Sequence, residues 1–198
     1  MYLLTKGENN KFTGFYLVKE FENCCFEEVH KLEKENMNIK DTKNEPNSYK
    51  YMSRNLWSGI LFGLGLVAFV DEAVFHQLLH WHKFYDLSTT EVGLISDGLF
   101  HAFSWFATIG GLFMFADLRR RNALWLKRWW GGVMVGGGGF QLYDGIVQHK
   151  MMRIHQIRYV ENVIVYDFIW NIIALAILIP GTIIVLNTRR KQQAGEAI

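Results

Sequence analysis

The chain has 198 residues, half of them hydrophobic, and its net charge at pH 7 is only +2. This length fits one domain, and the near-neutral charge gives no indication of a nucleic-acid partner. The charges are segregated, because residues 1–55 are rich in Lys, Glu and Asn whereas residues 56–187 form long apolar runs. Such segregation is typical of an integral membrane protein and excludes an ordinary soluble domain.

The first 50 residues mix charged side chains with a few aromatic ones and end in a linker-like stretch at 41–48. We interpret residues 1–50 as a weakly ordered cytoplasmic extension. Met1 is not followed by a long apolar run, so we expect no signal peptide. The adjacent Cys24 and Cys25 lack the spacing of a zinc site and are expected to be reduced thiols.

Four apolar segments follow, and each approaches or exceeds the roughly 20 residues that a helix needs to cross a bilayer. They predict an all-α, integral membrane four-helix bundle over residues 51–191, with a cytoplasmic tail at 192–198. The expected spans are about 56–79, 92–116, 129–148 and 160–186. The third span contains four consecutive glycines, which permit close helix approach in a membrane bundle.

Basic residues predict the orientation of these spans. They lie before the first span, between the second and third, and after the fourth: Lys50, Arg54, Arg119, Arg120, Arg121, Lys127, Arg128, Arg189, Arg190 and Lys191. Because cytoplasmic loops are enriched in Lys and Arg, we expect both termini of this multi-pass protein on the cytoplasmic side of the cell membrane. The loops near 83–91 and 153–160 would then lie at the outer face.

The sequence contains an internal repeat. A shift of 73 positions aligns the first span with the third: Trp57/Trp130, Gly59/Gly132, Gly63/Gly136, Gly65/Gly138, Asp71/Asp144, Val74/Val147, His76/His149 and His82/His155. A shift of 70 aligns the second with the fourth: Asp97/Asp167, Gly111/Gly181, and the basic triplets 119–121 and 189–191. Each half has two spans, so we expect two parallel-repeat helical hairpins related by a pseudo-two-fold axis along the membrane normal.

Polar residues recur at matched depths in the two halves. At 1.5 Å per residue from the basic ends, they form two layers about 7 Å apart. An ionised carboxylate in the hydrocarbon region is costly unless it faces the interior and is paired. The main candidate metal ligands are Asp71, His76, Asp97, His101, Asp144 and His149. Additional candidates are His80, His82, His155, Asp167, Asn171 and Glu72.

Imidazole and carboxylate together suit Zn, Fe, Mn or Cu(II). Asp97 and His101 are four residues apart and share a helix face. Asp71 and His76 are five apart, so both point inward only if their helix is central or locally distorted. We expect a metal site in the outer half of the bundle, for metal handling or metal-dependent chemistry at the outer face. The alternatives are proton or ion conduction, haem binding, a scaffold in a membrane complex, and a purely structural network.

Three stretches resemble a family of uncharacterised prokaryotic membrane proteins, domain of unknown function 2243. They are VDEAVFHQLLHWH at 70–82, SDGLFH at 96–101 and YDGIVQHK at 143–150. The resemblance extends from about Trp57 to Leu186 and implies a membrane location without an activity. Members tend to be encoded near assembly factors of respiratory oxidases, which implies copper or haem handling by association. Besides the bilayer, the expected partner is a second copy of the chain or a respiratory-complex assembly factor.

Overall fold

The computed structural model describes residues 50–195, with side chains up to Arg190, and apart from turns and loops these residues are helical. Within this range the four α-helices are α1 (Met52–Asp71), α2 (Thr90–Arg120), α3 (Leu126–Tyr143) and α4 (Val163–Gly195). A π-helical segment, Glu72–Leu78, continues α1, and a second, Asp144–Met152, continues α3. The predicted all-α four-helix fold is confirmed. The extension expected at residues 1–50 lies outside the described residues, apart from Lys50.

The two central helices are α1 and α3, because α1 packs against α2 and α3, and α3 also packs against α4. Glycines allow their close approach. A Cβ added at Gly63 would meet the carbonyl oxygen of Val133 and lie 2.8 Å from its Cα. A Cβ at Gly136 would meet the carbonyl oxygen of Ile60 and lie 2.8 Å from its Cα. These two contacts are related by the shift of 73. The pseudo-two-fold axis itself stays a prediction.

Three of the helical segments are long and apolar enough to cross a membrane: Met52–Leu78, Thr90–Arg120 and Val163–Arg190. The flanking helices expose large apolar side chains, with Phe106 of α2 76% exposed and Ile164 of α4 77% exposed. Apolar surfaces of this kind suit contact with lipid. Helix α3 is glycine-rich and less apolar, and it lies between α1 and α4, where much of its surface faces protein.

The π segments are local distortions of the helices. They allow both members of each Asp–His pair to point inward. Hydrogen bonding from i to i+5 widens the helical turn, so residues five apart return to nearly the same face. Asp71 and His76 therefore point the same way, as do Asp144 and His149. π-helical turns of this kind are rare and are frequently found at functional sites.

Both π segments are followed by a residue with left-handed backbone. These residues are His80, with φ of 50°, and Arg153, with φ of 52°, which the shift of 73 superposes. A non-glycine residue rarely adopts this conformation. The chain uses it here to turn sharply, so that both loops fold back over the ends of the π segments.

Candidate metal centre

Six buried residues converge where the two π segments end and the two loops fold back. Each half contributes a carboxylate where its α-helix passes into the π segment, an imidazole within that segment and a second imidazole from the loop that follows. We call these residues the Asp/His cluster: Asp71, His76, His82, Asp144, His149 and His155. Each is at most 6% exposed. The cluster therefore brings two carboxyl groups and four imidazoles together away from water.

The two loop imidazoles are held by backbone carbonyls. His82 Nδ1 donates to the carbonyl oxygen of Ile157 at 3.0 Å, and His155 Nδ1 donates to that of Phe84 at 2.9 Å. Because a carbonyl can only accept, each Nδ1 carries the proton and each neutral ring keeps its lone pair on Nε2. Burial, reinforced by the neighbouring imidazoles of His155 and His76, lowers the pKa of His82 to about 2. The His82 ring is therefore neutral at physiological pH.

The two imidazoles within the π segments have carboxylates at Nδ1. His76 Nδ1 lies 2.9 Å from Glu72 Oε2 and 3.1 Å from Asp97 Oδ1. His149 Nδ1 lies 3.6 Å from Asp167 Oδ1. A carboxylate at this nitrogen orients a histidine ring and directs its other nitrogen toward a ligand.

The Nε2 atoms of all four imidazoles are buried, and none has a hydrogen-bond partner within residues 50–195. Asp144 oxygens nevertheless lie 3.2 Å from His149 Nε2 and 3.3 Å from His155 Nε2. Since the proton of His155 is on Nδ1, its Nε2 lone pair faces a carboxylate oxygen. Two acceptors cannot hydrogen-bond to each other, so this contact is unfavourable unless a cation or an additional proton lies between them.

Three sets of buried donors within the described residues have ligand atoms all within 4.8 Å of one another. They are Asp71, His76 and His82; His82, His149 and His155; and Glu72, His76 and Asp97. The third set surrounds Nδ1 of His76 and orients that ring. The first two sets lie in the Asp/His cluster, so a metal ion could be held there.

Of the six main candidates from the sequence, four are in the cluster: Asp71, His76, Asp144 and His149. Asp97 lies behind His76, at its Nδ1. His101 lies apart on α2, where its Nε2 accepts from Trp105 Nε1 at 3.1 Å and its ring packs against Phe69 at 5.6 Å. The structure thus brings five of the six together and leaves His101 separate.

Among the additional candidates, the structure gives His82 and His155 full places in the cluster. A depth count along straight helices places both residues above the two predicted layers, because such a count does not include loops that fold back. The repeated spacing Asp-x4-His-x5-His, at 71–82 and 144–155, was the signal that could have found them. His80 is exposed, and Asn171 donates to the carbonyl oxygen of Asp167 at 2.8 Å.

A polar cavity of about 440 Å³ leads from the loop surface to the cluster. Its lining residues are His76, His80, Trp81, His82, Lys83, Asp86 and Tyr159. Burial and a hydrogen bond to Asp86 raise the pKa of Tyr159 to about 12, so the phenol stays protonated. We call this cavity the vestibule. It would give small polar species a route to His76 and His82.

Comparison with known proteins places the chain in a membrane context. A family model described as a predicted membrane protein (DUF2243) matches residues 58–188. The matched region contains the complete Asp/His cluster. No curated protein and no solved structure matches the chain significantly. The family description gives a membrane location and no activity, so function has to be argued from the site.

Proposed function

This chain belongs to the DUF2243 family of predicted membrane proteins, and from this premise we propose that it binds a transition-metal ion in the cell membrane. The Asp/His cluster would hold the ion, for metal handling or metal-dependent chemistry at the outer face. The observation that supports this most directly is the set of four buried Nε2 atoms that have no hydrogen-bond partner among residues 50–195, next to two buried carboxyl groups.

These unpaired nitrogens carry a cost in free energy. Each buried polar atom without a partner costs about 1–3 kcal/mol, and a lone pair opposed to a carboxylate adds repulsion. A bound cation removes both costs, because imidazole nitrogens and carboxylate oxygens coordinate it at about 2.0–2.2 Å. Two ligands at a right angle on such an ion are about 3 Å apart. The distances of 3.2 and 3.3 Å from Asp144 to His149 and His155 are close to that separation.

The surroundings of the imidazoles also fit a metal site. Ligating histidines usually donate their second ring nitrogen to a carboxylate or a backbone carbonyl, which fixes the tautomer and the ring orientation. His82 and His155 donate to carbonyls, and His76 has carboxylates at the same position. Three of the four rings are thus oriented with Nε2 free for an ion.

The donor set indicates which ions fit. Imidazole and carboxylate ligands suit Zn, Fe, Mn or Cu(II), whereas Cu(I) prefers sulfur. Haem with two axial histidines needs a gap wide enough for a flat macrocycle between them. The stacked rings of His82 and His155, with centroids 4.6 Å apart, leave no such gap. The cluster therefore favours a simple metal ion.

The charge distribution supports the orientation inferred for the bundle. At the end remote from the cluster, Asp117 pairs with Arg54 at 3.0 Å and with Arg120 and Arg121 at 2.8 Å. Basic residues of this kind mark the cytoplasmic side. We infer that α3 is a fourth span, that both termini are cytoplasmic, and that the vestibule opens at the outer face.

Elemental analysis tests the proposal. Protein purified without chelator should contain at least one equivalent of a transition metal per chain. The double variant His76→Ala/His149→Ala should lose this metal and still insert into the membrane. The variant His30→Ala, in the part of the chain outside the described residues, should keep it. Metal-free wild-type protein that conducts protons in vesicles would instead support the alternative function of proton conduction.

A further inference from the structure

Each repeat contains a complete metal-binding triad at identical spacing. The first consists of Asp71, His76 and His82, and the second of Asp144, His149 and His155. One carboxylate with two histidines is a recurring ligand set for a metal ion that keeps open coordination positions. Neither half needs a ligand from the other half to complete this set.

Within each triad the carboxyl group lies close to the histidines of the same repeat. In the first, the ligand atoms all lie within 4.8 Å of one another, with Asp71 Oδ2 3.8 Å from His76 Nε2. In the second, Asp144 oxygens lie 3.2 and 3.3 Å from His149 Nε2 and His155 Nε2.

A single ion fits the six residues less well than two. Six ligands about 2.1 Å from one ion lie at most about 4.2 Å apart. Within the described residues, however, each set of donors mutually within 4.8 Å contains only three residues. One set joins His82 with His149 and His155, so the two triads adjoin at the stacked pair of loop imidazoles.

We propose that the Asp/His cluster is dinuclear, with one ion in each triad. This inference rests on the proposed function, since it assumes that the cluster binds metal. Three protein ligands leave open positions on each ion, and paired ions in such sites commonly share a bridging oxygen ligand. The vestibule reaches His76 and His82 of the first triad. Water or a small oxygen-donor molecule entering from the outer face is therefore the class of exchangeable ligand.

Metal stoichiometry after loading with Mn(II) alone tests the inference. Wild-type protein should bind two Mn(II) per chain, and its electron paramagnetic resonance spectrum should show a spin-coupled pair. His76→Ala and His149→Ala remove one ligand from each triad. Either variant should retain about one Mn(II) with the spectrum of an isolated ion, while His30→Ala should behave as wild type.

The outcomes separate the two proposals. One Mn(II) per wild-type chain, lost completely in either single variant, would overturn the dinuclear centre and leave metal binding intact. Binding of well under one ion of Mn(II), Zn(II), Fe(II) or Cu(II) would overturn both. Because the stoichiometry and the coupled spectrum are measured on the wild-type protein, the inference can be tested even if a variant does not fold.

Discussion

The imidazole rings of His82 and His155 lie parallel, with centroids 4.6 Å apart and planes 2° apart. Each ring comes from the loop of its own repeat, and each donates Nδ1–H to a carbonyl oxygen in the loop of the other repeat. The two loops therefore hold each other's imidazoles in place. This reciprocal arrangement joins the two loops beside the Asp/His cluster.

We expect the loop histidines to matter more for metal binding than His101, which a depth count along straight helices ranks above them. His82→Ala and His155→Ala should each lower the metal content by at least half, because each removes an Nε2 ligand. His101→Ala should leave it unchanged, since its Nε2 already accepts from Trp105. Elemental analysis of the purified variants measures the difference. Equal loss in His101→Ala would show that the ligand set is wrong.

The glycines between α1 and α3 should be intolerant of even a methyl group. Gly63→Ala and Gly136→Ala each place a Cβ against backbone of the facing helix, which cannot rotate away. We expect each to destabilise the fold by about 1–3 kcal/mol, as overpacking commonly does. Thermal unfolding in detergent micelles would detect this loss.

Two other helical glycines serve as matched controls for that measurement. Among the described residues, and apart from the backbone of its own helical turns, a Cβ at Gly98 or Gly110 would have no neighbour within 4 Å. Alanine at these positions should be neutral or stabilise by up to about 1 kcal/mol, because it has the higher helix propensity. If all four variants unfolded at the same temperature, close packing of α1 on α3 would not be important for stability.

The length of the apolar runs and the internal repeat predicted the helices of this protein and several residues of its candidate metal site. Apolar runs of about 20 residues gave the four helices, and the shift of 73 paired Asp71 with Asp144 and His76 with His149. Both signals can be read from residue type and spacing along the chain, without knowledge of tertiary contacts. Hence the helices followed from the sequence, which also named four of the six cluster residues as main candidates and the other two, His82 and His155, as additional ones.

The π segments and the loop closure could not be predicted in the same way. An i to i+5 turn has no clear composition signature, and in a regular α-helix two residues five apart, such as Asp71 and His76, point in different directions. The places of His82 and His155 depend on contacts with Ile157 and Phe84, more than 70 residues away in each case. Such contacts are decided by tertiary packing.

The orientation predicts which positions react with an impermeant thiol reagent. In a background with Cys24 and Cys25 replaced by serine, Ser88→Cys and Glu161→Cys should be labelled in intact cells. Both positions are exposed in the loops beside the cluster. Lys127→Cys, exposed near the basic end, should be labelled only after lysis. The opposite labelling pattern would reverse the topology.

The contacts of the bundle lead to a prediction for the N-terminal segment. Helices α1 to α4 pack against one another through residues after position 50, and the polar composition of residues 1–45 offers no periodic apolar face. Deletion of residues 1–45 should therefore leave membrane insertion and thermal stability nearly unchanged. Loss of folded protein in a membrane fraction would show that this segment is needed to build the bundle.

The metal content of the wild-type protein tests the central claim most directly. The protein should be expressed with Zn, Fe, Mn and Cu supplied, purified without chelator and analysed by inductively coupled plasma mass spectrometry. At least one transition-metal ion per chain is the predicted result, because four buried imidazole Nε2 atoms beside two buried carboxyl groups otherwise lack hydrogen-bond partners within the described residues. Well under one ion per chain would contradict metal binding, and a proton relay through the same residues would become the better account.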